Sequence, residues 1–187
     1  MERLRILLEQ PKRTLGVLAV VLLAASVAAG SGAAFTAQTA NPSNSFASGT
    51  LSMVNSKNTA AVLTASNMKP GDTATGTVDI QNTGTLSGIY SLSRTNLTNS
   101  DATNPMSDKI DVVVKDCGNF SAGTPTCDAG DPVKYTGTLT AMNSAISLGT
   151  YAVNEQHRYE FTITFNSSAT SLYEGDNTSA RFQWDAV

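Results

Sequence analysis

The chain has 187 residues, a formal net charge of −3, two Cys and one His, and only 14% of its residues are charged, against roughly 25% in ordinary soluble domains. Ser, Thr and Asn together number 58, a profile of small hydroxyls and amides that suits a β-rich extracellular surface. The balance excludes a basic nucleic-acid binder, which needs clustered Lys and Arg against phosphate. It also excludes a His-rich metalloenzyme, a multi-disulfide scaffold and a chain disordered by composition.

The N-terminus reads as an export signal. Arg3, Arg5, Lys12 and Arg13 form a positive region, and residues 15–29 follow without a charge. About fifteen apolar residues fall short of the ~20 that a membrane-spanning helix needs. Small residues come next (Gly30, Ser31, Gly32, Ala33, Ala34), which a signal peptidase accepts. Cleavage is placed between Ala33 and Ala34; the alternative is an uncleaved signal anchor. The division is therefore a signal peptide at 1–33, a tail at 34–46 and a β-sandwich domain at 47–187. From Ala34 onward eight basic and thirteen acidic residues remain, a net charge of −5.

Further along, residues 73–81 alternate, with Ala74, Gly76, Val78 and Ile80 on one face and Thr73, Thr75, Thr77 and Asp79 on the other. That is the period of a half-buried strand. Lys69-Pro70-Gly71-Asp72 and Asn82-Thr83-Gly84-Thr85 bound it as turns. Residues 86–95 read as a second strand, forming a hairpin with the first. Ile110, Val112 and Val114 mark another; Val133, Tyr135 and Leu139 one more. Residues 158–166 and 179–186 alternate clearly, and Leu51 with Met53 and Ala61 with Leu63 are shorter candidates. Short helices are expected at 141–146 or 169–173. Seven to nine short strands without a long amphipathic helix in the mature chain predict an all-β sandwich.

Cys117 and Cys127 flank a loop with Gly and Pro between them. In an exported chain they read as a disulfide. No catalytic constellation emerges. A zinc hydrolase needs His-Glu-x-x-His or an equivalent, and the lone His157 at the mouth of a strand reads as a surface residue. No Gly-x-Ser-x-Gly elbow or phosphate-binding glycine loop occurs. Asp128 with Asp131 and Asp108 with Asp111 read as solvated loop carboxylates. No cofactor, metal or catalytic residue is expected.

The segment Ala34-Phe35-Thr36-Ala37-Gln38-Thr39-Ala40, continuing to Phe46-Ala47-Ser48-Gly49-Thr50-Leu51, resembles the start of mature TasA/camelysin-type secreted proteins, whose signal peptides a dedicated SipW-type peptidase serves. Pro70-Gly71-Asp72 before a strand ending in Asn82-Thr83-Gly84 resembles a turn and an Asn-x-Gly element of that family. Tyr173-Glu174-Gly175 is similar to its Tyr-Gln-Gly, with Glu174 in place of Gln. Ser52 stands where an acidic residue is usual, and Pro42 interrupts the tail. The resemblance implies a jelly-roll-like sandwich secreted to the cell surface or matrix. It also implies a biofilm fibre subunit whose N-terminal segment adds as a strand to the next copy.

The tail suits that role. Phe35 and Phe46 are apolar anchors around an uncharged polar stretch, able to pair with an open sheet edge. The alternatives for residues 35–44 are a disordered linker and, ranked below it, a strand folding back on its own sheet. The partners expected are further copies, head to tail, and other matrix proteins. Nucleic acid is not expected, and the membrane enters only through the uncleaved signal. The alternative function is a monomeric surface-binding or adhesion module. Some members of the resembled family carry a metallopeptidase label, which this sequence does not support with a metal constellation.

Overall fold

A computed structural model describes residues 11–30 and 47–187. Helix α1 spans Pro11–Gly30 and coincides with the apolar stretch of the expected signal. Among the described residues no helix is long and apolar enough to cross a membrane. The expected cleavage site at Ala33 and Ala34 and the tail from Phe35 to Phe46 lie outside the described residues.

Ala47–Val187 forms a compact unit of its own. It holds eight strands: β1 (Met53–Asn55), β2 (Thr73–Asn82), β3 (Gly88–Asn99), β4 (Ile110–Asn119), β5 (Val133–Thr138), β6 (Ile146–Tyr151), β7 (Gln156–Phe165) and β8 (Thr178–Ala186). They make two antiparallel sheets, ordered β1-β2-β7-β4-β5 and β6-β3-β8. The fold is the all-β sandwich that the alternating segments predict.

Alternation builds the core. Val78 and Ile80 from β2, Val112 and Val114 from β4, and Tyr159 and Phe161 from β7 are buried between the sheets. From the other sheet Tyr90 and Leu92 of β3, Tyr151 of β6 and Trp184 of β8 meet them. Tyr90 stacks on Tyr151 at 4.2 Å and Phe161 tilts against Phe182 at 4.6 Å, so the aromatics are spent on packing. On one side the sandwich closes where β5 and β6 lie next to each other, with Lys134 Nζ reaching the Leu148 carbonyl at 3.5 Å.

Three local expectations are corrected. β2 and β3 do not form a hairpin; they belong to different sheets, and β2 pairs with β1 and β7. The buried side chain of Asn82 enforces the crossover. Its Nδ2 donates to the carbonyls of Leu86, Tyr151 and Ala152, and its Oδ1 accepts the Gly84 N–H at 2.9 Å. The 141–146 helix is absent; Ile146 instead opens β6, where Leu148 and Tyr151 gain a core position that a surface helix could not give them. Ala61 and Leu63 lie in an irregular segment that packs on the face of β2 and makes no backbone bond to it. Residues 169–173 end in a turn of 3-10 helix at Ser171–Tyr173. Cys117 and Cys127 are disulfide-bonded.

Candidate functional site

Strand β8 sits at the end of its sheet and pairs with β3 alone. Its other edge faces a groove of about 1640 Å³. Ile110, Leu139, Ile163 and Phe165 line the groove, and residues 57–70 and 173–184 also border it. Ala180 and Phe182 of β8 are only partly buried there. Edge strands of sandwiches are ordinarily short, charged or covered, because their free N–H and C=O groups template pairing with another chain. Here a nine-residue strand is left with one open edge beside a cleft of mixed apolar and polar lining.

The opposite wall is a strap, residues 61–68, which crosses the inner face of β2. Val62, Leu63 and Met68 pack against the core. Gly76 permits this approach: a Cβ there would fall on the Val62 carbonyl oxygen and lie 2.7 Å from Leu63 Cβ.

Of the sequence motifs, Pro70, Tyr173 and Gly175 border this groove. Asp72 Oδ2 accepts the Lys69 N–H at 3.0 Å and the Asp72 N–H donates to the Lys69 carbonyl at 2.9 Å. Gly71 takes φ +94, a left-handed conformation that costs glycine least. That Pro70-Gly71-Asp72 turn carries the chain from the strap into β2. Tyr173 and Gly175 form the turn into β8, with Gly175 at φ 79. Gly49, Thr50 and Leu51 pack onto the β2–β3 crossover. The Thr50 N–H donates to Thr85 Oγ1 at 2.8 Å, and the Thr85 N–H returns a bond to the Thr50 carbonyl at 2.9 Å. A Cβ on Gly84 would strike the Thr50 carbonyl oxygen. The structure therefore brings Gly49-Thr50-Leu51 and Asn82-Thr83-Gly84 together, although some thirty residues separate them.

A second polar cluster was not foreseen. His157 is a half-buried residue rather than a surface one. Its Nδ1 lies 2.8 Å from Asp116 Oδ1 and its Nε2 lies 2.9 Å from Glu155 Oε1. Its ring stacks on Tyr151 at 4.5 Å. Lys134 Nζ is 3.3 Å from Asp116 Oδ2. Burial opposes the charged imidazolium, but the hydrogen bonds that its N–H groups donate to Asp116 and Glu155 outweigh it and hold the His157 pKa above its ordinary value. Burial likewise raises Asp116, and His157, the Gly118 N–H and Lys134 together override it, leaving its pKa lowered. The Tyr151 and Tyr159 hydroxyls hydrogen-bond each other, and burial pushes both phenols up. The alternation 157, 159, 161 on β7 was the available signal that His157 points inward.

The described domain is thus an antiparallel sandwich in which β8 leaves one edge unpaired beside a cleft of mixed lining. A family model described as camelysin metallo-endopeptidase matches residues 10–117, more than half of the chain. The chain belongs to that family. No curated protein matches it in sequence.

The family description implies a metal, and the residues present do not fit one. A catalytic zinc site takes three protein ligands, most often including His. The chain has a single His, and both of its ring nitrogens are committed to carboxylates on opposite sides. Among the described residues, the grouping with metal-ligand spacing is Cys117, Cys127 and Asp131, and its two sulfurs are joined in the disulfide. The Asp128–Asp131 pair closes a turn, the Asp128 N–H donating to Asp131 Oδ2 at 2.6 Å. Asp111 Oδ2 accepts from Asn166 Nδ2 at 2.7 Å.

Proposed function

We propose that this protein is a non-catalytic structural subunit of the cell surface or extracellular matrix. It assembles into fibres when the N-terminal segment of one copy adds as a strand along β8 of the next. Membership in the camelysin family favours a secreted, matrix-type protein. The single observation that carries the assembly step is the open edge of β8 beside its groove.

The chemistry of the tail complements that edge. Residues 34–46 carry no charge, so pairing buries no ion. Twelve extended residues, 35–46, reach about 40 Å at ~3.3 Å each, enough to run the length of β8. Main-chain bonds supply affinity and pockets for alternate side chains supply register; Phe35 and Phe46 are the large anchors available. Pro42 removes one ladder donor, so pairing is continuous on either side of it rather than through it. A donor at one place and an acceptor at another make a contact that does not close on itself and propagates as a filament.

The test is N-terminal sequencing of the secreted protein with negative-stain microscopy of the same sample, beside a variant lacking residues 34–45. Fibres from the intact protein and none from the deletion, at an unchanged melting temperature, are expected. Fibres persisting in the deletion would overturn the reading.

A further inference from the structure

The strap offers a second hydrogen-bonding edge to the same groove. Among the described residues, none makes a hydrogen bond to the backbone of residues 61–68. Val62, Leu63 and Met68 hold the segment down by side-chain packing, with the Val62 carbonyl turned against Gly76 of β2. The strap crosses the face of β2 at Gly76 and makes no backbone bond to it; β7 occupies one edge of β2 and β1 the other only at residues 80–82. Residues 58–68 contain no charge, no Gly and no Pro, so pairing there buries no ion and meets no proline break; Asn67, at φ 53, marks the strap's turn toward Pro70. Any strand has two edges. If an incoming strand spent one on β8 and turned the other toward a cleft wall without partners, it would bury unpaired amides, which is strongly unfavourable.

We propose that residues 61–68 form the second flank of the acceptor site, converting from an unbonded strap to a strand that pairs with the far edge of the incoming N-terminal segment. This rests on the strand-addition reading above and assigns it binding residues that the groove alone does not. The site is then two-sided: β8 supplies a preformed edge and the strap an adaptable one. The strap's lack of backbone bonds in the free subunit means that none has to break when it rearranges.

The experiment is hydrogen–deuterium exchange of the full-length secreted protein, free and in fibres, together with the variants Thr64→Pro and Ala65→Pro. In an extended segment consecutive N–H groups point to opposite sides, so one of the two prolines deletes a bond to the incoming strand and the other does not. Expected are protection of amides at both 178–186 and 61–68 in fibres, and fibre elongation at least tenfold slower in one proline variant. Both variants should melt with the wild type as free subunits. Fibres protected at β8 but not at 61–68, with both variants elongating normally, would overturn this inference and leave strand addition standing. A wild-type protein that forms no fibres would overturn both.

Discussion

Asp116 on β4 and His157 on β7 form a buried ion pair, Oδ1 to Nδ1 at 2.8 Å, with side-chain exposures of 7% and 16%. Glu155 holds the other ring nitrogen at 2.9 Å, so the imidazolium sits between two carboxylates at one end of the core. A carboxylate this deep is tolerated only because it is paired and hydrogen-bonded.

Stability should therefore follow pH in a definite way. The His157 pKa is raised in the fold, so its contribution is complete below the ordinary histidine value of about 6.5 and is lost as pH rises through the folded value. Asp116 and Glu155 are lowered; their contribution is present above the ordinary carboxylate range of about 4 and is lost as pH falls through their folded values. Between these limits, at mildly acidic pH, the cluster contributes most. Thermal melts from pH 4 to 9 should show the alkaline decline, and His157→Gln should flatten it while costing about 2 kcal/mol near pH 6. An unchanged alkaline limb in His157→Gln would refute the assignment.

Asn82 is fully buried and its amide satisfies four backbone groups. Asn82→Ala leaves those carbonyls and the Gly84 N–H without a partner at the crossing between sheets. A loss of about 3 kcal/mol is expected, since each buried polar group left unpaired costs ~1–3 kcal/mol and water reaches some of them. Asn82→Asp, the same size with both donors gone, should lose nearly as much in urea titration. A loss under 0.5 kcal/mol for either would show that the crossover stands without this side chain.

Metal dependence gives a third test. Because the only imidazole is engaged at both nitrogens, dialysis against a chelator should leave the melting temperature unchanged, and elemental analysis should find no stoichiometric zinc. Casein hydrolysis abolished by chelator and restored by zinc would overturn the non-catalytic reading despite the donor set.

The strands visible in the sequence are those with one wet face. Residues 73–81, 158–166 and 179–186 alternate because β2, β7 and β8 each bury a single side. β6 was illegible because Ser147, Gly149 and Thr150 dilute its two core residues, Leu148 and Tyr151. The hairpin expected between β2 and β3 failed on a tertiary fact, that β7 takes the edge β3 would need. His157 was misplaced because a lone polar residue at a strand entrance looks solvated until Asp116, distant in sequence, is folded against it. The disulfide was legible, since spacing and compartment sufficed. The groove was not: an unpaired edge is a property of strand order, which residue patterns do not encode.

The two layers of the sandwich also differ in width, five strands against three. At ~4.8 Å per strand the narrow layer is about 10 Å short. Because the sandwich closes where β5 meets β6, the shortfall accumulates on the β8 side. The strap already lies in the narrow layer, over β2. An added strand beside β8 makes up part of that shortfall, so a subunit and its neighbour's tail together build a wider layer than either chain segment supplies alone.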